Sequence, residues 1–138
     1  MGKILVVDDQ LGIRLLLVEL LQEDHDIKMA ANGEEALRLF TAFKPGLILM
    51  DMKMPGMNGI ETLEQIRGLV SQVAVILMTG YGDEAYSMKQ AKELGILGYL
   101  SKPFDLFELR EQVEEILLNS SGISTQGITG WSLLPAIL

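Results

Sequence analysis

Two apolar runs constrain the fold of this chain more than any other feature. Ile4-Leu5-Val6-Val7 and Val73-Ala74-Val75-Ile76-Leu77-Met78 are apolar at every position. A strand with one wet face alternates polar and apolar residues. A strand buried on both faces does not, so runs of this kind belong to a parallel sheet covered by helices. Three further β-type segments, Asp26–Ala30, Leu47–Met50 and Gly98–Leu100, alternate with helical stretches at about 10–23, 33–43, 58–69, 84–94 and 105–119. Five strand–helix units in strict alternation predict an α/β fold with an open parallel sheet, right-handed crossovers and helices on both faces. Local signals support the boundaries. Asn32-Gly33 turns the chain before Glu34 and Glu35, whose charges suit a helix start. Gly95 after Leu94 marks a helix stop. Asp105, with Glu108 three residues on, has an acidic variant of the capping-box spacing.

Composition excludes several functions. A chain of 138 residues is one domain. Eleven basic against 19 acidic residues leave a net charge of −8, which argues against nucleic acid as a partner, because phosphate binding needs clustered Lys and Arg. With no cysteine, disulfides, thiol catalysis and Cys-ligated metals are out. The single histidine, His25, excludes His-rich metal sites, leaves little room for a Ser-His-Asp triad, and reads as a solvated loop residue. The eight methionines read mostly as core filler. No stretch reaches the ~20 apolar residues of a membrane span, and the first apolar run is too short for a signal peptide, so a cytoplasmic protein is expected. Ser120–Leu138 is different in kind: it has no charge and holds the only tryptophan, Trp131. The working domain is therefore expected over residues 1–119. The tail over 120–138 reads as disordered, as an added segment, or as packing on this or a neighbouring molecule.

The residues that follow each apolar run carry the chemistry. Asp8 and Asp9 follow the first run, Asp51 the third, Thr79 and Gly80 the fourth, Lys102 and Pro103 the fifth. In a parallel sheet all these positions lie on one edge, where ligands bind in folds of this class. Asp8-Asp9 taken alone reads more often as turn or helix-cap carboxylates; with Asp51 and Lys102 in the set it reads as a metal site. Three close carboxylates raise each other's pKa unless a cation sits among them. Oxygen-only ligands favour a hard cation such as Mg²⁺, which keeps several waters and often uses one or two carboxylates. A carboxylate beside that cation can attack phosphorus and become an aspartyl phosphate, while a Lys and hydroxyl or amide donors neutralise the transferred oxygens.

Asp8-Asp9, the segment Leu47-Ile48-Leu49-Met50-Asp51-Met52-Lys53-Met54-Pro55-Gly56-Met57-Asn58-Gly59, Thr79-Gly80 and Lys102-Pro103-Phe104 together resemble the receiver domain of two-component response regulators. The resemblance covers about residues 3–119 and implies a flavodoxin-like, doubly wound (βα)₅ fold with strand order 2-1-3-4-5. It implies Asp51 as phosphoacceptor, Mg²⁺ (with Mn²⁺ or Ca²⁺ as substitutes) held by Asp9, Asp51 and the backbone carbonyl of Lys53, and Asp8 acting through a metal-bound water. It also implies Thr79, Gly80, Lys102 and Met52 in contact with the phosphoryl group, a cis Lys102-Pro103 bond, and Thr79 and Tyr99 as a switch pair. Within the family, Asp8-Asp9-Gln10-Leu11-Gly12-Ile13-Arg14 and Met78-Thr79-Gly80-Tyr81-Gly82 resemble the single-domain phosphotransferases of sporulation. Gly46, Asn58, Gly80 and Tyr99 depart from the common residues without removing a chemical group from the site.

The first helix adds a surface. At 100° per residue Ile13, Leu17, Leu20 and Leu21 share one face with Leu16 at its edge, while Leu11, Leu15 and Val18 lie nearly opposite. A helix packed on a sheet cannot bury both faces, and an apolar stripe beside an acidic site suggests docking. The expected docking set is Gln10, Leu11, Gly12, Ile13, Leu15, Leu16, Val18, Tyr81, Pro103 and Phe104. The partners implied by the resemblance are a sensor histidine kinase and a downstream histidine phosphotransferase; the chain itself is expected to be monomeric, with tail-mediated self-association as an alternative. The leading reading is a phosphorelay protein, a phosphotransferase intermediate rather than a multiple-turnover enzyme. Alternatives are a chemotaxis-like switch, a receiver from a larger transcription regulator, a phosphate-independent interaction module, and an Asp-nucleophile phosphatase. The last would want an Asp two residues after Asp51, where this chain has Lys53.

Overall fold

The computed structural model describes residues 2–70, 72–80 and 85–119. Tyr81 and the tail at 120–138, with the readings attached to them above, lie outside the described residues. The elements alternate as β1 (Lys3–Val7), α1 (Leu11–Leu21), β2 (Asp26–Ala30), α2 (Gly33–Phe43), β3 (Leu47–Asp51), α3 (Gly59–Leu69), β4 (Ala74–Thr79), α4 (Ala85–Glu93), β5 (Gly98–Ser101) and α5 (Leu106–Asn119). All strand pairs are parallel, in the order β2-β1-β3-β4-β5. This is the parallel, helix-covered sheet that the unalternating runs predict, in the doubly wound (βα)₅ order that the family resemblance implies.

The same runs explain the two cores. Side chains alternate across a strand, so Leu5, Val7, Ile48, Met50, Val75 and Leu77 point to one face, where α2 and α3 cover them with Ala36, Phe40, Leu63 and Ile66. Ile4, Val6, Leu47, Leu49, Ile76 and Met78 point to the other, against Leu17 and Leu21 of α1 and Leu109, Val113 and Ile116 of α5. Each fully buried Leu or Ile stabilises the fold by ~1.5–3 kcal/mol. The edge strand β2 is covered less well, and Met29 is exposed.

Helix limits fall where the caps put them. Asn58 accepts from the Glu61 amide while Glu61 accepts from the Asn58 amide, a complete capping box. Asn32 caps α2 through the Glu35 amide, and Asp105 accepts from the Phe107 and Glu108 amides ahead of α5. Asn58 and Asp105 are therefore caps rather than first helical residues. Gly95 ends the α4 region with φ +80, which only glycine adopts without strain. Arg67 ties α3 to the segments before β4 and β5, donating to the carbonyls of Val73, Leu94 and Gly95.

His25 departs from expectation. It is buried, not solvated: the Gly2 amide donates to its Nδ1 at 3.0 Å, and its Nε2 lies 2.9 Å from Glu114 Oε2. With Nδ1 accepting, the proton sits on Nε2 and faces the carboxylate. The ring bridges the amino terminus and α5, with Glu114 lying 89 residues beyond His25 in sequence, a contact that its charged neighbours Asp24 and Asp26 do not signal.

Candidate functional site

The order of strands places a topological switch point between β1 and β3. The chain leaves β1 in one direction, to β2, and returns on the other side as β3. Val7 is level with Met50, so the next residues, Asp8 and Asp51, emerge side by side. Asp51 is level with Met78 on β4, and Thr79 with Ser101 on β5, which brings Thr79 and Lys102 to the same edge.

Asp8 is fully buried and both its carboxylate oxygens are engaged. Oδ1 accepts from the Gln10 amide at 2.9 Å, which turns the chain into α1, and Oδ2 accepts from Lys102 Nζ at 2.8 Å. Arg14 donates to the Asp8 carbonyl at 2.7 Å and so clamps the same turn. Asp51 is 7% exposed, and its Oδ1 lies 3.5 Å from Lys102 Nζ. Asp9 is exposed at the rim. One oxygen from each of Asp8, Asp9 and Asp51 lies within 4.8 Å of the others.

These charges shift one another. Burial first, and the charge of Asp8 second, push the Asp51 carboxyl up to about 6, against the opposing pull of Lys102 and a hydrogen bond from the Lys53 amide. Burial acts to lower the Lys102 pKa, but the hydrogen bond to Asp8 and the charges of Asp51 and Asp8 outweigh it, and its pKa is raised. Lys102 is thus the internal counter-ion of a carboxylate cluster in excess of positive charge. An oxygen-only donor set with an uncompensated negative charge fits a hard divalent cation such as Mg²⁺.

The surroundings hold Asp51 from behind. The Met52 amide bonds to the Met78 carbonyl, and the Gly59 amide to the Met52 carbonyl. A Cβ on Gly59 would stand 2.5 Å from the Asp51 carbonyl oxygen, so α3 can begin this close only with glycine. Gly59 and Arg14 are positioning residues that sequence reasoning missed; Asn58-Gly59 before a helical pattern was the available signal for the first. Thr79 is buried, its hydroxyl donating to the Leu100 carbonyl at 3.3 Å, and the Lys102 amide bonds to the Thr79 carbonyl. Tyr99 is buried, and burial raises its hydroxyl pKa. Gly80 is exposed, and a Cβ there would meet nothing within 4 Å. The Lys102-Pro103 bond is cis.

Beside the crevice, α1 buries Leu17 and Leu21, with Ile13 and Leu20 packed at their flank. It leaves Leu11 and Leu15 more than half exposed and Leu16 exposed, with Val18 half-buried. Gln10, Gly12 and Pro103 are exposed around this stripe and Phe104 is half-buried.

A crevice of this make-up at the switch point of a 2-1-3-4-5 sheet defines a class, and residues 4–114 match the response regulator receiver domain. The chain belongs to that family: it is a receiver domain of two-component response regulators. It is 47% identical over 116 residues to the sporulation initiation phosphotransferase F of Bacillus subtilis, a match covering 83% of this chain and 93% of that protein. It is 37% identical to the alkaline phosphatase synthesis transcriptional regulatory protein PhoP of Bacillus subtilis, over 86% of this chain but 49% of that regulator. Among solved structures it is similar to the chemotaxis protein CheY4 of Vibrio cholerae, with a TM-score of 0.77 and 27% identity over 84% of this chain and 98% of that one. No helix among the described residues is long and apolar enough to cross a membrane.

Proposed function

We propose that residues 1–119 form a phosphorelay receiver, which takes a phosphoryl group from a sensor kinase phosphohistidine onto Asp51 and passes it to a second histidine protein, in sporulation control. The observation behind this reading is the position of Asp51: nearly buried, level with Asp8, within reach of Lys102, and flanked by the exposed stripe of α1. The 47% identity to a sporulation phosphotransferase, over 93% of that protein, supports the phosphorelay reading.

In the forward step an Asp51 carboxylate oxygen attacks phosphorus, a P–O bond forms as the P–N bond breaks, and the electron pair of the broken bond stays on the imidazole nitrogen, which takes up a proton. Asp51 must be ionised to attack, and with a pKa of about 6 it is so at neutral pH. Lys102 turns from Asp8 and Asp51 to the incoming phosphoryl oxygens, with the Thr79 hydroxyl and the amides around Met52 and Gly80 as further donors. Asp9, Asp51 and the Lys53 carbonyl would hold Mg²⁺, with Asp8 beside them, and the ion would supply positive charge to the phosphoryl oxygens. The return step is the same displacement in reverse onto another imidazole. Leu11, Leu15 and Leu16, with Gln10, Gly12, Ile13, Val18, Pro103 and Phe104 around them, dock the helical partner that presents the histidine.

The test is phosphotransfer profiling. Labelled phosphoryl supplied by a phosphohistidine donor with Mg²⁺ passes through this chain to a second histidine protein. Label that reaches Asp51 and only hydrolyses favours the second reading, a chemotaxis-like switch. Buried Tyr99 and the likeness to a chemotaxis receiver support that alternative.

A further inference from the structure

A groove of about 580 Å³ opens at the edge of the sheet opposite the acidic crevice. Its walls include Phe40 of α2, Lys44 and Gly46 ahead of β3, Leu69 and Val70 at the end of α3, and Val73 ahead of β4. Leu69 and Val70 are 60% and 45% exposed, so the helix end presents two adjacent aliphatic side chains to solvent beside a concave apolar wall. A contiguous surface of this kind marks a binding site more often than a stray exposed aliphatic does.

The course of the chain supplies the occupant. Helix α5 ends at this same edge: a Cβ on Gly46 would lie 3.6 Å from Leu117 Cδ2, so the last turn of α5 packs against a residue of the groove wall. The 19 residues that follow Asn119 carry no charge, and Trp131-Ser132-Leu133-Leu134-Pro135-Ala136-Ile137-Leu138 is the most apolar part of them. We propose that Trp131–Leu138 of the same chain seats in this groove. Helix α5 lies on the face of the sheet opposite α2 and α3, so the connection from Ser120 to Gly130 has to round the amino edge of the sheet; it spans about 18 Å as a random coil and starts from a turn already in contact with the groove wall at Gly46. Tethering at that distance gives an effective concentration in the millimolar range, so a modest apolar fit keeps the segment seated. The segment brings no charged side chain, and Lys44, the one charged residue of the groove wall, is exposed and can keep its ammonium in water. Because the groove and Asp51 lie at opposite ends of the strands, the segment covers apolar surface without touching the crevice.

Trp131 is the only tryptophan, so its emission in the full chain reads the contact directly. The expected result is a blue-shifted emission, protected from acrylamide and independent of protein concentration. In the double variant Leu69→Lys/Val70→Lys the emission moves to the solvent-exposed maximum, while far-UV circular dichroism and labelling of Asp51 stay unchanged. Leu134→Lys, placed outside the domain, makes the same shift and carries the test if the groove variant does not fold. Solvent-like emission in the unaltered chain overturns the proposal, as does a blue shift insensitive to both variants. A blue shift lost on dilution assigns the groove to a second copy and overturns the intramolecular contact.

Discussion

At the carboxyl edge of the sheet, β1, β3 and β5 run into Asp8, Asp9, Asp51 and Lys102; at the amino edge, β3 and β4 are entered through Pro45-Gly46 and Val73, beside exposed Leu69 and Val70. The strand interiors between these edges are equally apolar. Parallel register is what separates the two. It gathers all strand ends of one polarity, so groups as far apart as Asp8 and Lys102, 94 residues, meet without interrupting the core. One edge collects buried charge that only a counter-ion relieves. The other collects packing, and a change there alters surface area rather than electrostatics.

The sharpest way to break this comparison is to remove the counter-ion. Lys102→Met leaves buried Asp8 without its partner and the incoming phosphoryl group without a cation, and initial labelling from acetyl phosphate falls roughly 10²–10³-fold. Lys44→Met at the other edge leaves the rate unchanged. Equal losses would show that the two edges are not distinct.

A somewhat smaller effect follows from Asp51. Its folded pKa, about 6, lies above the ordinary 3.8, so the folded state holds the proton more tightly than the unfolded one. The resulting stabilisation is present in full below the ordinary value and is lost as pH rises through about 6, on the order of 3 kcal/mol without metal. Asp51→Asn lacks this dependence. In urea titrations without metal the variant gains on the parent chain between about pH 4 and pH 7, and Mg²⁺ at pH 7 narrows the gap by stabilising the parent. A gap that does not change with pH contradicts the electrostatic account of this edge.

Next comes the wall behind the crevice. Gly59→Ala forces a Cβ against the backbone of Asp51 and Met52, and unfolding free energy drops by about 1–3 kcal/mol. Gly80→Ala, in open space at the same edge, changes it by no more than about 0.5 kcal/mol. The smallest effect is at the stripe. Leu15→Ser leaves stability and acetyl phosphate labelling unchanged but slows transfer from a phosphohistidine protein about tenfold, the loss of one contact worth ~1.4 kcal/mol.

Much of this was legible in the sequence for identifiable reasons. Burial on both faces writes itself into Ile4–Val7 and Val73–Met78 as runs without alternation, and parallel order converts strand-end residues into neighbours. Hence the sheet and the meeting of Asp8, Asp9, Asp51, Thr79 and Lys102 could be read in advance. Contacts set by three-dimensional closeness could not. Lys102 sits nearer to Asp8, at 2.8 Å, than to Asp51, at 3.5 Å. The Gly59 approach depends on how steeply α3 meets β3, and His25 is buried by partners at the two ends of the domain. The apolar groove was equally hidden, since Leu69 reads only as the last residue of a helical pattern.

The most direct measurement is to incubate the full chain with acetyl phosphate and Mg²⁺, then locate the modification by intact mass and by reductive trapping of the acyl phosphate. The account predicts one phosphoryl group, on Asp51, lost in Asp51→Asn and dependent on the divalent cation. Labelling that persists in Asp51→Asn, or that is unaffected by chelation, would contradict it.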